Sequence, residues 1–262
     1  MMNDTVLVSD DGAVRTLTLN RPDKMNALDL EMADALLTAA RDAAASATVR
    51  CVVLRGAGRG FFAGGDVAEF ARHGERAGDY AGQLIDRYHP AIETLVRMEK
   101  PVLAALHGPV AGAGLSLAMT ADLAVAREDA VFSLAYSLIG ASPDGGSTYF
   151  LPRLLGRRRA MEIAMLSDRF DARKALELGL VNRIASADGF DEAVTEWAQR
   201  LAAGPTGAYG RIKRLIDGSL DRDLSGQLAA EREAFLEGAK GPDFQEGIQA
   251  FVGKRKPDFE GH

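Results

Sequence analysis

The sequence predicts an α/β domain of parallel crossovers, closed by a helical C-terminal third. Three observations predict it. Short apolar runs at Val49 to Leu54, Pro101 to Leu106 and Leu123 to Ala126 read as buried strands. Strand, turn and helix units repeat along the chain, which is the order of a parallel crossover. From Arg157 onward the strand signals give way to helices. At 262 residues and 47% hydrophobic content, the chain suits one large domain with a smaller helical appendage. The expected division is a core over residues 1–200 and a helical region over residues 201–262.

The elements follow in order. Val6-Leu7-Val8 and Val14 to Leu19 read as a hairpin around Asp10-Asp11-Gly12. Asn20 to Lys24 is a loop, and Asp29 caps a helix over Leu30 to Ala45. Gly56 to Asp66 is a glycine-rich loop. Val67 to Gly82 is polar and poorly patterned, and is expected to be mobile. A helix covers Gln83 to Met98 and stops before Pro101. Gly108 to Gly114 turns into a helix over Leu115 to Ala121, and Val131-Phe132 is a short strand. Gly140 to Ser147 turns into a helix that ends before Gly156. Further helices are expected over Arg158 to Leu166, Ala172 to Gly179, Phe190 to Ala203, Ala208 to Leu215 and Asp223 to Glu237.

Composition narrows the function classes. A net charge of -6 gives no argument for a nucleic-acid partner. Local Lys and Arg can still hold phosphates. The single cysteine, Cys51, falls in an apolar run and reads as a core residue in a reducing compartment. Met1 to Asp11 carries acids and no long apolar stretch, so no secretory signal is expected. No run reaches the roughly 20 apolar residues of a membrane span. The expected location is cytoplasmic.

Three glycine-bearing turns compete for a chemical role: Gly56 to Asp66, Gly108 to Gly114 and Ser142 to Ser147. None fits a dinucleotide fingerprint, and no Gly-Lys-Ser/Thr triplet makes a Walker loop. The histidines His73, His89, His107 and His262 lack metal-ligand spacing. No G-x-S-x-G elbow occurs. What remains is shape. Ala113 lies near a helix N-terminus, where free N–H groups favour negative charge. Gly65 lies in a compact loop after a strand. Converging N–H groups from the two would form an oxyanion hole.

At this point the residues resemble the enoyl-CoA hydratase/isomerase (crotonase) family. Asn20-Arg-Pro-Asp-Lys-Met-Asn-Ala-Leu28 resembles its N-terminal signature, Phe62-Ala-Gly-Gly-Asp66 its first oxyanion loop, and Pro101 to Gly114 its second. Gly179-Leu-Val-Asn182 and Phe251-Val-Gly-Lys-Arg-Lys256 match later segments. The resemblance implies a crotonase (ClpP-like) spiral of ββα units with a helical C-terminal region, assembled as a homotrimer or dimer of trimers. It implies an acyl-CoA thioester as substrate and no separate cofactor. Catalytic roles carry over to the backbone N–H of Gly65 and of Ala113, where the family usually has Gly. Substrate-binding roles carry over to Lys24, Met25, the Ala63 carbonyl, Asp66, Ser116, Tyr136, Phe251 and Lys254.

Departures from the pattern are the most informative feature. Hydratases of the family use two glutamates on a water. Their positions hold Ser116, three residues after Ala113, and Tyr136, eight before Asp144. Neither replaces a carboxylate acid/base pair at neutral pH. Asp144 is the remaining carboxylate, and its Ser142-Pro-Asp-Gly-Gly-Ser-Thr148 setting resembles the isomerase branch that includes epoxyphenylacetyl-CoA isomerases. Leu138, Ile139 and Phe150 are expected to give it an apolar pocket. A turn or N-cap role would also suit Asp144. His89, Tyr136 and Asp144 are spaced as in the aryl-CoA dehalogenase branch, while Tyr88-His89-Pro90 also reads as a helix start. His107 reads as a loop residue beside the oxyanion turn. The readings are thus enoyl-CoA isomerase first, then hydratase or aryl-CoA substitution, then acyl-CoA binding without catalysis. The lost glutamates predict slow hydration of crotonyl-CoA, followed as loss of the conjugated enoyl absorbance. Turnover at a rate typical of enzymes, about 10 per second, would refute that expectation.

Overall fold

A computed structural model describes residues 5–261. His262 and the first four residues of the acidic N-terminal segment lie outside the described residues.

The hairpin pairs β1 (Val6–Asp11) with β2 (Val14–Leu19), turning at Gly12 with φ +58°. From β2 the main sheet continues in parallel through β3 (Cys51–Gly56), β4 (Val102–Leu106), β6 (Leu123–Arg127) and β9 (Arg183–Ala185). A small sheet of β5 (Pro109–Ala111), β7 (Val131–Ser133) and β8 (Phe170–Asp171) lies beyond β4 in the chain. It pairs β5 with β7 in parallel and β7 with β8 antiparallel.

Alternation along the strands explains why the main sheet is apolar on both faces. Leu17, Leu19, Val52, Leu54, Ala104 and Leu106 enter the larger core with residues of α1 (Leu30–Ala45), such as Met32 and Leu36. Cys51, Val53, Leu103, Ala105 and Val125 face the other way, onto α8 (Phe190–Ala202). Cys51 is fully buried there, and burial pushes its thiol up to about 12. That is the inert core role its apolar run predicts.

Helix ends follow from local chemistry. Asp29 caps α1, its carboxylate accepting from Met32 N. At the other end of α1, the buried Lys100 ammonium donates to Ala43 O and Ala44 O at 2.5 and 3.1 Å. A cation there meets the orphan carbonyls and the negative dipole end.

The stretch expected to be mobile is instead helical. It holds α2 (Val67–His73), a single 3-10 turn and the start of α3 (Ala77–Arg97). Its aromatics explain this: Tyr80 is buried, packs edge-on against Phe70 and stacks on His73 at 4.3 Å. Helix α3 runs unbroken across Pro90, so Tyr88-His89-Pro90 lies mid-helix and not at a helix start.

Downstream come α4 (Ala113–Ala118), α5 (Ser147–Leu155), α6 (Arg157–Leu166) and α7 (Ala172–Glu177). The C-terminal helices are α9 (Thr206–Asp217), α10 (Leu224–Gly238) and α11 (Pro242–Val252). Sequence patterning gives neither α11 nor β9: the first is started by Pro242, and the second is only three residues long. Among the described residues, no helix is long and apolar enough to cross a membrane.

One packing constraint joins the two glycine loops. Phe62 bridges to Val110, with Phe62 N donating to Pro109 O at 3.1 Å and Ala111 N to Phe62 O at 2.9 Å. Helix α4 crosses so close behind that a Cβ on Gly114 would stand 2.1 Å from Phe62 O. Gly114→Ala should therefore cost about 3 kcal/mol or more, as overpacking without room to relax does. A thermal melt indistinguishable from the parent would contradict this packing.

Candidate functional site

The Asn20–Leu28 signature turns out to be a clamp. Arg21 reaches the carboxylates of Asp29 at 3.0 Å and Asp66 at 3.2 Å, and also donates to Ala27 O. Asn26 is fully buried at φ +57°, next to Met25 at φ +51°. Its side-chain oxygen accepts from Arg21 N at 2.8 Å. Its amide nitrogen faces Ala57 O, Gly60 O and Phe61 O at 2.9, 2.9 and 3.1 Å. One side chain thus gathers the carbonyls of the glycine-rich loop. The left-handed backbone that aims it there is strained for non-glycine residues.

The clamp presents Gly65. Leu28 N donates to Gly64 O at 2.8 Å, and Asp66 N donates to Leu28 O at 2.9 Å. This is a parallel bridge in which the partner residue, Gly65, sends its own N–H to the opposite side. Among the described residues, no protein acceptor takes that N–H. Ala113 opens α4, whose first backbone bonds are Leu115 N and Ser116 N to Gly112 O. Its N–H is therefore an orphan of the helix start. The positive φ of the turn falls on Gly112, +52°, so alanine at 113 keeps an ordinary helical backbone.

The two loops face each other closely. A Cβ on Gly64 would stand 3.1 Å from Ala111 O and 3.5 Å from Ala113 N. Phe70 of α2 covers the other side, 3.0 Å from a Cβ built on Gly65. The arrangement is a pair of free backbone donors on abutting loops, beneath an aromatic ring.

Asp144 lies in the turn before α5. Its backbone carbonyl accepts from Ser116 Oγ at 2.8 Å and from Ser147 Oγ at 3.1 Å. Its carboxylate Oδ1 accepts from the Tyr136 hydroxyl. Among the described residues, Oδ2 accepts no hydrogen bond from the protein. The carboxylate does not cap α5, whose N-cap is Gly146. Burial, and then the Asp144 charge, push the Tyr136 phenol far above its ordinary value. Tyr136 therefore stays a donor and cannot serve as a base. The hydroxyls at both glutamate positions are committed to Asp144.

Two further residues join the loops. Tyr88 is buried, and its hydroxyl donates to Ala113 O at 2.8 Å. Its ring stands 3.0 Å from a Cβ built on Gly145. His89 Nε2 accepts from Gly145 N at 3.3 Å. Sequence reasoning missed the roles of Arg21, Asn26 and Tyr88. The stripe Leu84-Tyr88-Ala91-Leu95, at helical spacing, held the only signal for Tyr88: a hydroxyl on a buried helix face.

Other expected residues lie elsewhere. Ala63 N donates to Met25 O at 3.0 Å, so these two join the clamp to the glycine-rich loop. Lys24 is exposed beside them. Asp66 is buried against Arg21, a structural partner. Phe251 lies in the last turn of α11 and Lys254 just beyond it, and among the described residues no bond joins them to the two glycine loops. Phe251 is 87% exposed and borders an apolar groove of about 550 Å³ with Phe235, Phe244 and Phe259. Leu138 and Ile139, expected beside Asp144, lie on the 3-10 turn Tyr136–Ile139 and are exposed at 70% and 60%. Phe150 does approach, 2.9 Å from a Cβ on Gly146. His107 is buried and bonds Gly58 O through Nε2 at 3.1 Å, and burial lowers its pKa.

Asn26→Ala should remove the loop's anchor, leaving Arg21 N and several buried carbonyls unpaired at about 1–3 kcal/mol each. Chemical denaturation should show a loss of at least that size. A variant as stable as the parent would mean that Asn26 does not hold the loop.

Comparison with known proteins agrees with this architecture. The enoyl-CoA hydratase/isomerase family model matches residues 9–262. The 1,2-epoxyphenylacetyl-CoA isomerase of Escherichia coli (strain K12) is 35% identical over 261 residues, 99% of this chain and 100% of that protein. A 4-chlorobenzoyl coenzyme A dehalogenase of an Arthrobacter species is 34% identical, over 95% of this chain and 91% of its own. The crystal structure of an enoyl-CoA hydratase from Polaromonas sp. JS666 superposes with a TM-score of 0.92 at 37% identity, covering 97% of this chain and 99% of that one. The expected crotonase fold is therefore present, and the chain belongs to the enoyl-CoA hydratase/isomerase family of acyl-CoA enzymes.

Proposed function

We propose that the protein is an enoyl-CoA isomerase that shifts a double bond with one carboxylate and an oxyanion hole. The observation that carries the reading is the commitment of Ser116 and Tyr136 to Asp144. It leaves Asp144 as the carboxylate of the site, with one oxygen, Oδ2, that accepts no hydrogen bond from the described residues.

The chemistry follows from that group and the two amides. Asp144 Oδ2 takes a proton from C2 of a 3-enoyl thioester. The electron pair moves onto the thioester oxygen as a dienolate, which the Gly65 and Ala113 N–H groups stabilise. Asp144 then returns the proton to C4, and the double bond rests at C2–C3. A donor of an oxyanion hole is worth about 3 kcal/mol in the transition state, more than in the ground state, because the charge develops only there. Tyr136 holds Oδ1 and so fixes which oxygen works.

The same reading assigns CoA contacts to Lys24, Met25, the Ala63 carbonyl, Phe251 and Lys254. Its assembly is a homotrimer or dimer of trimers. Exposed Phe235, Phe251 and Val252 on the C-terminal helices, at 65%, 87% and 76%, support burial against another copy. The relative named as a dehalogenase, together with the grouping of His89, Tyr136 and Asp144, supports a second reading. In it Asp144 is a nucleophile toward an aryl-CoA.

Incubation with a 3-enoyl-CoA should yield the conjugated 2-enoyl product. Asp144→Asn should slow that turnover by about 10²–10⁴-fold, the usual contribution of a general acid/base. Unchanged turnover in the variant would remove Asp144 from the mechanism. Release of chloride from 4-chlorobenzoyl-CoA, without isomerase activity, would favour the second reading.

A further inference from the structure

We propose that His89 is a positioning residue, which sets the direction of the Asp144 carboxylate by gripping the peptide unit that follows it. The inference rests on the isomerase reading for its kinetic consequence, but its structural content is separate.

The Asp144–Gly145 peptide is held at both ends. Its carbonyl accepts from Ser116 Oγ at 2.8 Å, and its N–H donates to His89 Nε2 at 3.3 Å. A peptide unit is planar, so two grips on opposite edges fix its rotation about the Cα–Cα axis. That rotation sets ψ of Asp144 and φ of Gly145. It therefore fixes where the Asp144 side chain leaves the backbone.

The grip is needed because the turn resists rotation poorly by itself. Gly145 and Gly146 both take positive φ, +61° and +85°, and glycine crosses between such states at little steric cost. No helix or strand constrains residues 140–146. Of the partners of this peptide, Ser116 stands on α4 and His89 on α3. The turn is thereby referenced to two helices of the core. The bond also defines the ring. Nε2 accepts, so the proton of the neutral imidazole sits on Nδ1. A nitrogen already accepting from the backbone is not free to take a proton from substrate or water. The role is thus positioning rather than acid/base chemistry.

Two variants separate the accepting group from the ring. His89→Leu keeps bulk and removes the acceptor, while His89→Gln keeps an oxygen that can accept from Gly145 N. The expected result is a kcat loss of about tenfold in His89→Leu, as misplacement of a reacting group gives. KM should stay within about twofold, and His89→Gln should recover most of kcat. Hydrogen exchange over residues 140–147, read by mass spectrometry, should quicken in His89→Leu and return in His89→Gln, with thermal melts as the check on folding. Equal kcat in both variants, or unchanged exchange in His89→Leu, would overturn the proposal. A parent protein with no isomerase activity would fail the isomerase reading instead; the exchange pattern alone would then decide the role of His89.

Discussion

The structure depends on the abutment of two backbone segments, Phe62–Gly65 and Val110–Gly114. Phe62 bridges Val110, and Gly114 passes so near Phe62 O that a methyl group has no room. Main-chain groups pointed by this packing need no side-chain reorganisation when charge develops, which is the physical basis of preorganised stabilisation. Helix α4, the sheet and the clamp serve this one approach. The sheet delivers both segments at the ends of β3 and β4, while Arg21 and Asn26 hold the first loop from below.

Around these two loops the polar side chains follow a simple hierarchy. Ser116 and Tyr136 stand where the family's hydratases carry glutamates, and both donate to Asp144. A site with two carboxylates can split a water between them. A site with one carboxylate and two hydroxyl donors lacks that second carboxylate. The second arrangement also avoids placing like charges together, which would drive one group to hold its proton. Phe70 stands against Gly65, Tyr88 against Gly145 and Phe150 against Gly146; of these the sequence suggested Phe150, together with Leu138 and Ile139.

Legibility of the sequence tracked how local each signal is. The hairpin and the cap at Asp29 were readable, because turn and cap chemistry act over a few residues. Buried strands were readable because both faces of the sheet are apolar. The stretch from 67 to 82 was not, since Phe70 and His73 pack against Tyr80 across a turn, a contact between two helices that no single local pattern shows. The candidate site was legible only in part. Gly65, Ala113 and Asp144 stood out through glycine patterns and family motifs. Asn26 and Tyr88 act through bonds to residues 31 and 25 positions away, which no local window contains.

The central claim is that the amides of residues 65 and 113 polarise a single thioester carbonyl. Isotope-edited vibrational spectroscopy reads this directly, with a non-reactive acyl-CoA carrying ¹³C at the thioester carbonyl. The account predicts that the carbonyl stretch shifts to lower frequency on binding than in water, and shifts alike in Asp144→Asn. A bound carbonyl that vibrates as it does in water, or at higher frequency, would contradict it.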